Sequence, residues 1–201
     1  MPKFIDVINA GSSSVKFAVY DAEKDERCLF RGQVEGIGVK PRLKVADADG
    51  RVVEERDVAA QGFDHDAAMR EIIATGRVLL KGGSIAAFGH RVVHGGVKYD
   101  APVRVTEAVL AELAKLEPLA PLHQPHNLAP MRAIMKAAPQ IPQIACFDTA
   151  FHRTQSNLAQ AFAVPRRFAE EGVRRYGFHG LSYDFLVSRL RVCPETSCGI
   201  A

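Results

Sequence analysis

No stretch of this 201-residue sequence is apolar for long enough to cross a membrane, and the amino-terminal MPKFIDVINAG lacks the unbroken apolar run of a signal peptide. A soluble, cytoplasmic protein is expected. A basic block is missing too: 26 Lys and Arg stand against 23 Asp and Glu, a formal charge of +3 spread along the chain. There is then no electrostatic stripe for nucleic acid or anionic lipid, and small anions remain as partners. Cysteine is scarce. Cys28, Cys146, Cys193 and Cys198 have neither zinc-ligand spacing nor the density of a secreted disulfide scaffold, so reduced thiols are expected. Internal repeats and low-complexity linkers are also absent. What remains, 47% hydrophobic and 24% charged residues, suits a real core in one domain or two small ones.

The patterning reads as α/β. Phe4 to Ile8 is a short apolar run, and Val15, Phe17 and Val19 alternate with Lys16, Ala18 and Tyr20, so two strands flank the small-residue turn Ala10 to Ser14. Strand-like segments follow over Cys28 to Ile37, Arg42 to Ala48 and Arg51 to Val58, with Asp49-Gly50 turning between the last two. Together these form an antiparallel meander. Helical stripes then appear at Met69, Ile72, Ile73, Leu79 and Leu80, at Val109, Leu110, Leu113 and Leu116, and at Leu128, Met131, Ile134, Met135 and Ala138. Between and after them, Ile85 to Phe88 and Gln143 to Phe147 read as buried strands.

Five clusters carry chemistry. In Asn9-Ala-Gly-Ser-Ser-Ser-Val-Lys16, a Gly/Ser loop between strands turns N–H groups and hydroxyls toward a phosphate, with Lys16 adding a point charge. Asn9, just past the first strand, faces a ligand or hydrated metal. The loop is neither a P-loop nor a dinucleotide fingerprint, and a plain serine-rich hairpin turn is an equal reading. Gly89 to Gly96, GHRVVHGG, follows the strand over Ile85 to Phe88 and sets Arg91 among glycines. Its fork needs a carboxylate or phosphate, from a ligand or from the protein itself. His90 and His94 stand four apart, but a glycine-flanked segment is no helix, which argues against a metal pair. Pro121 to His126 places His123 and His126 in a proline-bounded loop, Asp148 ends a buried strand, and His179 lies between Phe178 and Gly180. Strand ends are where α/β folds keep ligands. A capping His123, a helix-starting Asp148 and a core His179 are the structural alternatives.

The segments VINAGSSSVKF, GHRVVHGG, LAPLHQPHNL, CFDTAFH and RRYGFHG closely resemble, in order and interval, those of the acetate kinase family, which includes propionate and butyrate kinases. The resemblance implies the actin-like, ribonuclease H-like α/β fold of the acetate and sugar kinase, heat-shock and actin superfamily. Residues 1–150 would be the amino-terminal domain and 151–201 the start of an incomplete second one. It further implies a homodimer that transfers the γ-phosphoryl group of ATP to acetate with magnesium. Matched motif by motif, Asn9 is a magnesium-site residue, and Ser12, Ser14 and Lys16 face the phosphates of ATP. Arg91 binds the carboxylate of the acid. His123 and His179 stand by the phosphoryl group, Asp148 is the catalytic aspartate, and Val93, Leu122 and Phe178 enclose the alkyl tail. Acetate is the expected substrate, and propionate is allowed.

This sequence also departs from the pattern. Leu181-Ser182-Tyr183 stands where the family has Thr-Ser-His, the stretch VCPETSCGIA differs from the family's continuation, and no Gly-Asn-Gly phosphate loop is present. The expectation is therefore a truncated chain without competent kinase activity. A non-catalytic fragment that binds small anions or a full-length partner is the other reading. A Ser-His-Asp hydrolase is disfavoured, because the serines sit outside a Gly-x-Ser-x-Gly elbow.

Overall fold

The computed structural model describes residues 1–24 and 27–192, the last two by backbone alone. Cys193, Cys198 and the divergent stretch that contains them lie outside the described residues. The body is one mixed sheet of eight strands in the order β5-β4-β3-β2-β1-β6-β8-β7. These are β1 (Lys3–Ala10), β2 (Ser14–Asp21), β3 (Cys28–Glu35), β4 (Arg42–Asp47), β5 (Val52–Asp57), β6 (Ser84–Val92), β7 (Val103–Arg104) and β8 (Gln143–Phe147). The first five form the expected antiparallel meander. β6 then pairs parallel to β1 and β8 parallel to β6, with the two-residue β7 closing the edge.

Period-two burial assigns the two faces of the sheet. Phe4, Asp6, Ile8 and Ala10 of β1, Val15, Phe17 and Val19 of β2, and Phe88, His90 and Val92 of β6 are all buried. They lie under α1 (His65–Leu79) and α3 (Gln124–Ala137). α1 begins where Asp64 accepts the Ala67 N–H, which satisfies one orphan donor of the first turn. α2 (Glu107–Ala114) starts in the same way, on Thr106. Burial separates into two clusters: one under β1–β4 and α1, the other around β8, α2 and α3 with Leu113, Leu128, Met131 and Phe147 at its centre. On the opposite face, Ile5, Val7 and Tyr20 border a cleft against Phe185 and Arg189 of α6 (Gly180–Val192). Between β8 and α6 the chain holds only short helical turns, α4 (Asn157–Gln160) and α5 (Arg166–Glu170) among them.

Three expectations need correction. Asn9 is not beyond the first strand but inside it, paired with Lys16. Likewise β6 does not stop at Phe88: Gly89, His90, Arg91 and Val92 continue it, held by β1 on one side and β8 on the other. A glycine, a histidine and an arginine read as loop in isolation, yet a central position supplies ladder partners on both edges, and tertiary context overrides propensity. Similarly, Gln124 to His126 belong to α3, with Pro125 in its first turn, where a missing N–H costs nothing. Among the described residues no helix is long and apolar enough to cross a membrane.

Candidate active site

Strand alternation dictates where Arg91 points. His90 lies on the core face, its Nε2 2.9 Å from Gln143 Oε1, and burial lowers its pKa to about 4. Arg91 consequently faces the other way, beside Asn9. Its Nε lies 3.2 and 3.3 Å from the two Asp148 oxygens, its Nη2 donates to Asp148 Oδ2 at 2.6 Å, and its Nη1 donates to Asn9 Oδ1 at 3.2 Å. The pairing with one of the protein's own carboxylates is therefore real. It does not exhaust the arginine. A guanidinium carries five N–H donors, and these bonds leave one free on each of Nη1 and Nη2. The Arg91 side chain is 32% exposed while that of Asp148 is 2% exposed. The acid is the buried anchor and the base is the group a ligand reaches.

Asp148 is fixed by its backbone. Its N–H donates to the Val92 carbonyl at 2.9 Å, extending the β6–β8 ladder by one step, and its own carbonyl accepts the Gly180 N–H at 2.8 Å. That second bond draws in the RRYGFHG segment. A Cβ on Gly180 would sit 2.2 Å from the Asp148 carbonyl oxygen, so this approach needs glycine. His179 just before it takes φ of 59°, a left-handed conformation uncommon outside glycine and frequent at functional sites. His152 Nε2, 2.8 Å from the Phe178 carbonyl oxygen, holds the segment from below.

A cavity of about 440 Å³ opens at this junction, lined by Arg91, Val93, Leu122, His123, Asp148, Phe178 and His179, with Leu119, Ala120 and Pro121. All seven residues that the sequence assigned to the acid and the phosphoryl group reach it. Asn9 stands behind Arg91. Ser12, Ser14 and Lys16 do not line the cavity: Ser12 is in the neighbouring loop and Ser14 and Lys16 are in β2, where Ser12 and Lys16 are exposed and the Gly11 N–H donates to the Ser14 carbonyl at 2.8 Å. His123 precedes α3 as its N-cap residue but makes no side-chain capping bond, which leaves its imidazole to the cavity.

Several residues escaped the sequence. Asn127, buried in α3, accepts the Val93 N–H at 2.8 Å and donates to the Ala10 carbonyl at 2.6 Å, joining the ends of β6 and β1. Gln124, one turn earlier, spans the His94 backbone in both directions, and Thr149 Oγ1 accepts the Gly95 N–H. His65 Nε2 reaches the Gly11 carbonyl oxygen at 2.7 Å and stacks on His126 with ring centroids 4.7 Å apart. Burial, then the nearby His65 and His123, depress the His126 pKa. The signal for Gln124 and Asn127 was their three-residue spacing on the apolar side of a helical stripe. His94 is buried, takes the Gly96 N–H on Nδ1 and packs edge-on against Tyr176 and Phe178, and desolvation lowers its pKa. Among the described residues no group of three or more His, Cys, Asp or Glu side chains is placed to hold a metal ion.

Known proteins are similar to this chain in sequence and in fold. Acetate kinase of Rhizobium meliloti is 49% identical over 187 residues, which is 92% of this chain and 47% of that protein. The crystal structure of Porphyromonas gingivalis acetate kinase superposes with a TM-score of 0.83 at 35% identity, covering 94% of this chain and 48% of the other. A propionate kinase from Francisella tularensis gives 0.81 at 29%, over 93% and 48%. The chain spans about half the length of the curated relatives it matches. The mixed α/β sheet is thus that of the actin-like fold, with a second domain that is incomplete relative to those neighbours. Because the sequence profile of the Acetokinase family matches residues 4–195, nearly the whole chain, this protein belongs to that family.

Proposed function

We propose that the whole protein moves the γ-phosphoryl group of ATP to the carboxylate of acetate, forming acetyl phosphate reversibly, and that the cavity at Arg91 holds the acid. The observation that carries this is the convergence of one partly exposed guanidinium, two histidines and three apolar side chains on a single small cavity. A short carboxylic acid matches it at both ends. The two free Arg91 N–H groups take the carboxylate, and Val93, Leu122 and Phe178 take the alkyl tail. The names of the superposed neighbours, acetate kinase and propionate kinase, agree with that chemistry.

Phosphoryl transfer to a carboxylate asks for alignment and charge neutralisation, since the nucleophile and the phosphoryl oxygens are all anionic. Acetate is ionised near neutral pH, so no base is required. Asp148 then acts as a positioning residue that fixes the fork of Arg91, and its burial against that fork supports this role over general-base chemistry. His123 and His179 face the phosphoryl group across the cavity. The loop bearing Ser12, Ser14 and Lys16 offers hydroxyls and a cation to the nucleotide phosphates. Asn9 Oδ1 and the Asp148 carboxylate are hard oxygen donors around one arginine. Such a pair suits a magnesium ion held mostly by phosphates and water. When bound, magnesium would supply positive charge to the phosphate oxygens. A homodimer is part of the same proposal, on the family resemblance alone.

The test is a titration of the chain with acetate, following the backbone amide resonances of Val93 and Phe178, which line the cavity with Arg91. Saturable shifts there, lost in Arg91→Ala and moved to higher acetate concentration by competing propionate, are expected. Equal acetate affinity in parent and Arg91→Ala would sink the assignment. In a coupled assay with ATP and magnesium, the chain's turnover should fall well below the usual kinase range of about 1–100 per second, because the sequence has no Gly-Asn-Gly loop to fix the donor.

A further inference from the structure

A second cavity, of about 270 Å³, lies under the helix-covered face of the sheet, between β1, β2 and β6 and the carboxyl ends of α1 and α3. Phe17, Val19, Ile72, Ile73, Phe88 and Ile141 give it apolar walls. Into it projects Asp6. The alternation of β1 places this residue in the buried row with Phe4, Ile8 and Ala10, where the packing dictates an apolar side chain. Asp6 is 5% exposed, and its Oδ1 is fully buried with no hydrogen-bond partner. Among the residues that line the cavity the other ionisable group is Arg77, an exposed side chain in the last turn of α1, and Ser84 and Gln140 add neutral polar groups.

A buried polar atom without a partner is costly, and native structures rarely leave one unexplained. The acid pocket makes no use of it, and the cavity in front of it has room to spare. An engineered apolar cavity of about 150 Å³ already admits benzene. We propose that this cavity binds a small primary ammonium with a compact apolar body, its nitrogen seated on the Asp6 carboxylate and its hydrocarbon against the Ile and Phe walls.

Charge decides for an ammonium over a neutral donor. A hydroxyl or amide would satisfy one lone pair and leave the group protonated, whereas a cation among the apolar walls neutralises the carboxylate where screening is weakest. Burial holds the Asp6 carboxyl up at about 8, so ionising it at pH 7 weakens amine binding by about tenfold relative to an ionised site. The balance is simple: the ammonium enters with its protons, the carboxyl O–H bond breaks, and one proton leaves to buffer. Arg77 at the solvent side repels further positive charge, which favours a monoamine over a polyamine.

Cyclohexylamine is the probe, titrated calorimetrically into the 201-residue chain in two buffers of different ionisation enthalpy. The expected result is release of nearly one proton at pH 7, with affinity rising about tenfold per pH unit up to about 8 and level above it. Cyclohexanol should bind at least tenfold more weakly, and Asp6→Asn should lose the amine while keeping its melting transition. Should that variant fail to fold, the proton count in the parent chain still decides. Binding without proton release, cyclohexanol as tight as the amine, a folded Asp6→Asn that retains it, or no binding of either probe at millimolar concentration would each overturn the proposal.

Discussion

The sheet body and the segment that follows it are built differently. Among the described residues every buried apolar side chain lies at or before Phe147. Beyond Asp148 many large apolar groups, including Leu158, Phe162, Val173, Phe185, Leu186 and Leu190, are exposed, Phe151, Phe168 and Leu181 are half-buried, and the short turns are held by a few backbone bonds such as Arg175 N to the Gln160 carbonyl. The cavity at Arg91 takes residues from both regions. Arg91, Val93 and His123 stand on the body, whereas Phe178 and His179 hang on the segment through Gly180 and His152. On the proposed reading, binding and alignment of the acid rest on different foundations: Arg91 inherits the rigidity of a core, and His179 opposite it does not.

The largest effect that bears on this contrast comes from inside the body. Asp6 has a folded pKa of about 8 against 3.8 in the open chain, so the native state holds an extra proton between those values and the contribution of Asp6 falls as pH rises across them, by about 4–6 kcal/mol in all. His90, lowered from 6.5 to about 4, has the opposite sign: the unfolded state binds the extra proton, and stability is lost as pH falls from 6.5 toward 4. The two slopes offset one another between about 4 and 6.5, and above 6.5 only the loss from Asp6 remains. Denaturant midpoints of Asp6→Leu should be flat above pH 6.5 and rise with pH below it. A parent-like slope between 6.5 and 8 in that variant would remove Asp6 as the cause.

Hydrogen exchange would break the comparison directly. Amides of β1, β2, β6 and β8 should exchange on the order of a thousandfold more slowly than those of 157–190, because the latter open without unburying a core. Matching protection in the two regions would mean that the exposed apolar groups are covered in solution. At the seam between them, Asp148→Asn should cost about 1–3 kcal/mol, since it removes the charge that satisfies Arg91 while leaving the backbone bonds to Val92 and Gly180 in place. The loss should appear in body and segment alike, and one confined to the segment would show that Arg91 does not depend on its partner. The smallest expected effect is at His65. His65→Ala should cost about 1 kcal/mol and speed exchange at Ser12 to Ser14, with His65→Gln restoring most of it by offering an N–H to Gly11. Identical behaviour of the two variants would reduce the contact to packing.

Periodicity made much of the body legible. Val15, Phe17 and Val19 announced β2, and the stripe from Leu128 to Ile134 announced α3, because burial on one face leaves a regular imprint. The extension of β6 through Gly89 to Val92 left none: a central strand holds a glycine and an arginine when neighbours complete its ladder, and those neighbours are remote in sequence. The residues of the pocket were legible by motif, and the structure gathers Arg91, His123, Asp148 and His179 around one cavity. Their supports were not. Gln124, Asn127, His65 and Asp6 are polar side chains whose default expectation is solvent; spacing on the apolar stripe hints at Gln124 and Asn127, and the packed chain shows all four turned toward protein.

Asn127 carries one more implication. Its amide is a planar group of fixed width, and it touches the Ala10 carbonyl on one side and the Val93 N–H on the other. The Gly/Ser loop begins at the first of these points and the cavity at Arg91 opens beside the second. The separation between loop and cavity is thus gauged by a single rigid spacer. Glutamine would wedge the two strand ends apart, and serine would let them drift. Aspartate, equal in size, would turn an oxygen toward the Ala10 carbonyl and force the loop away from the pocket it serves.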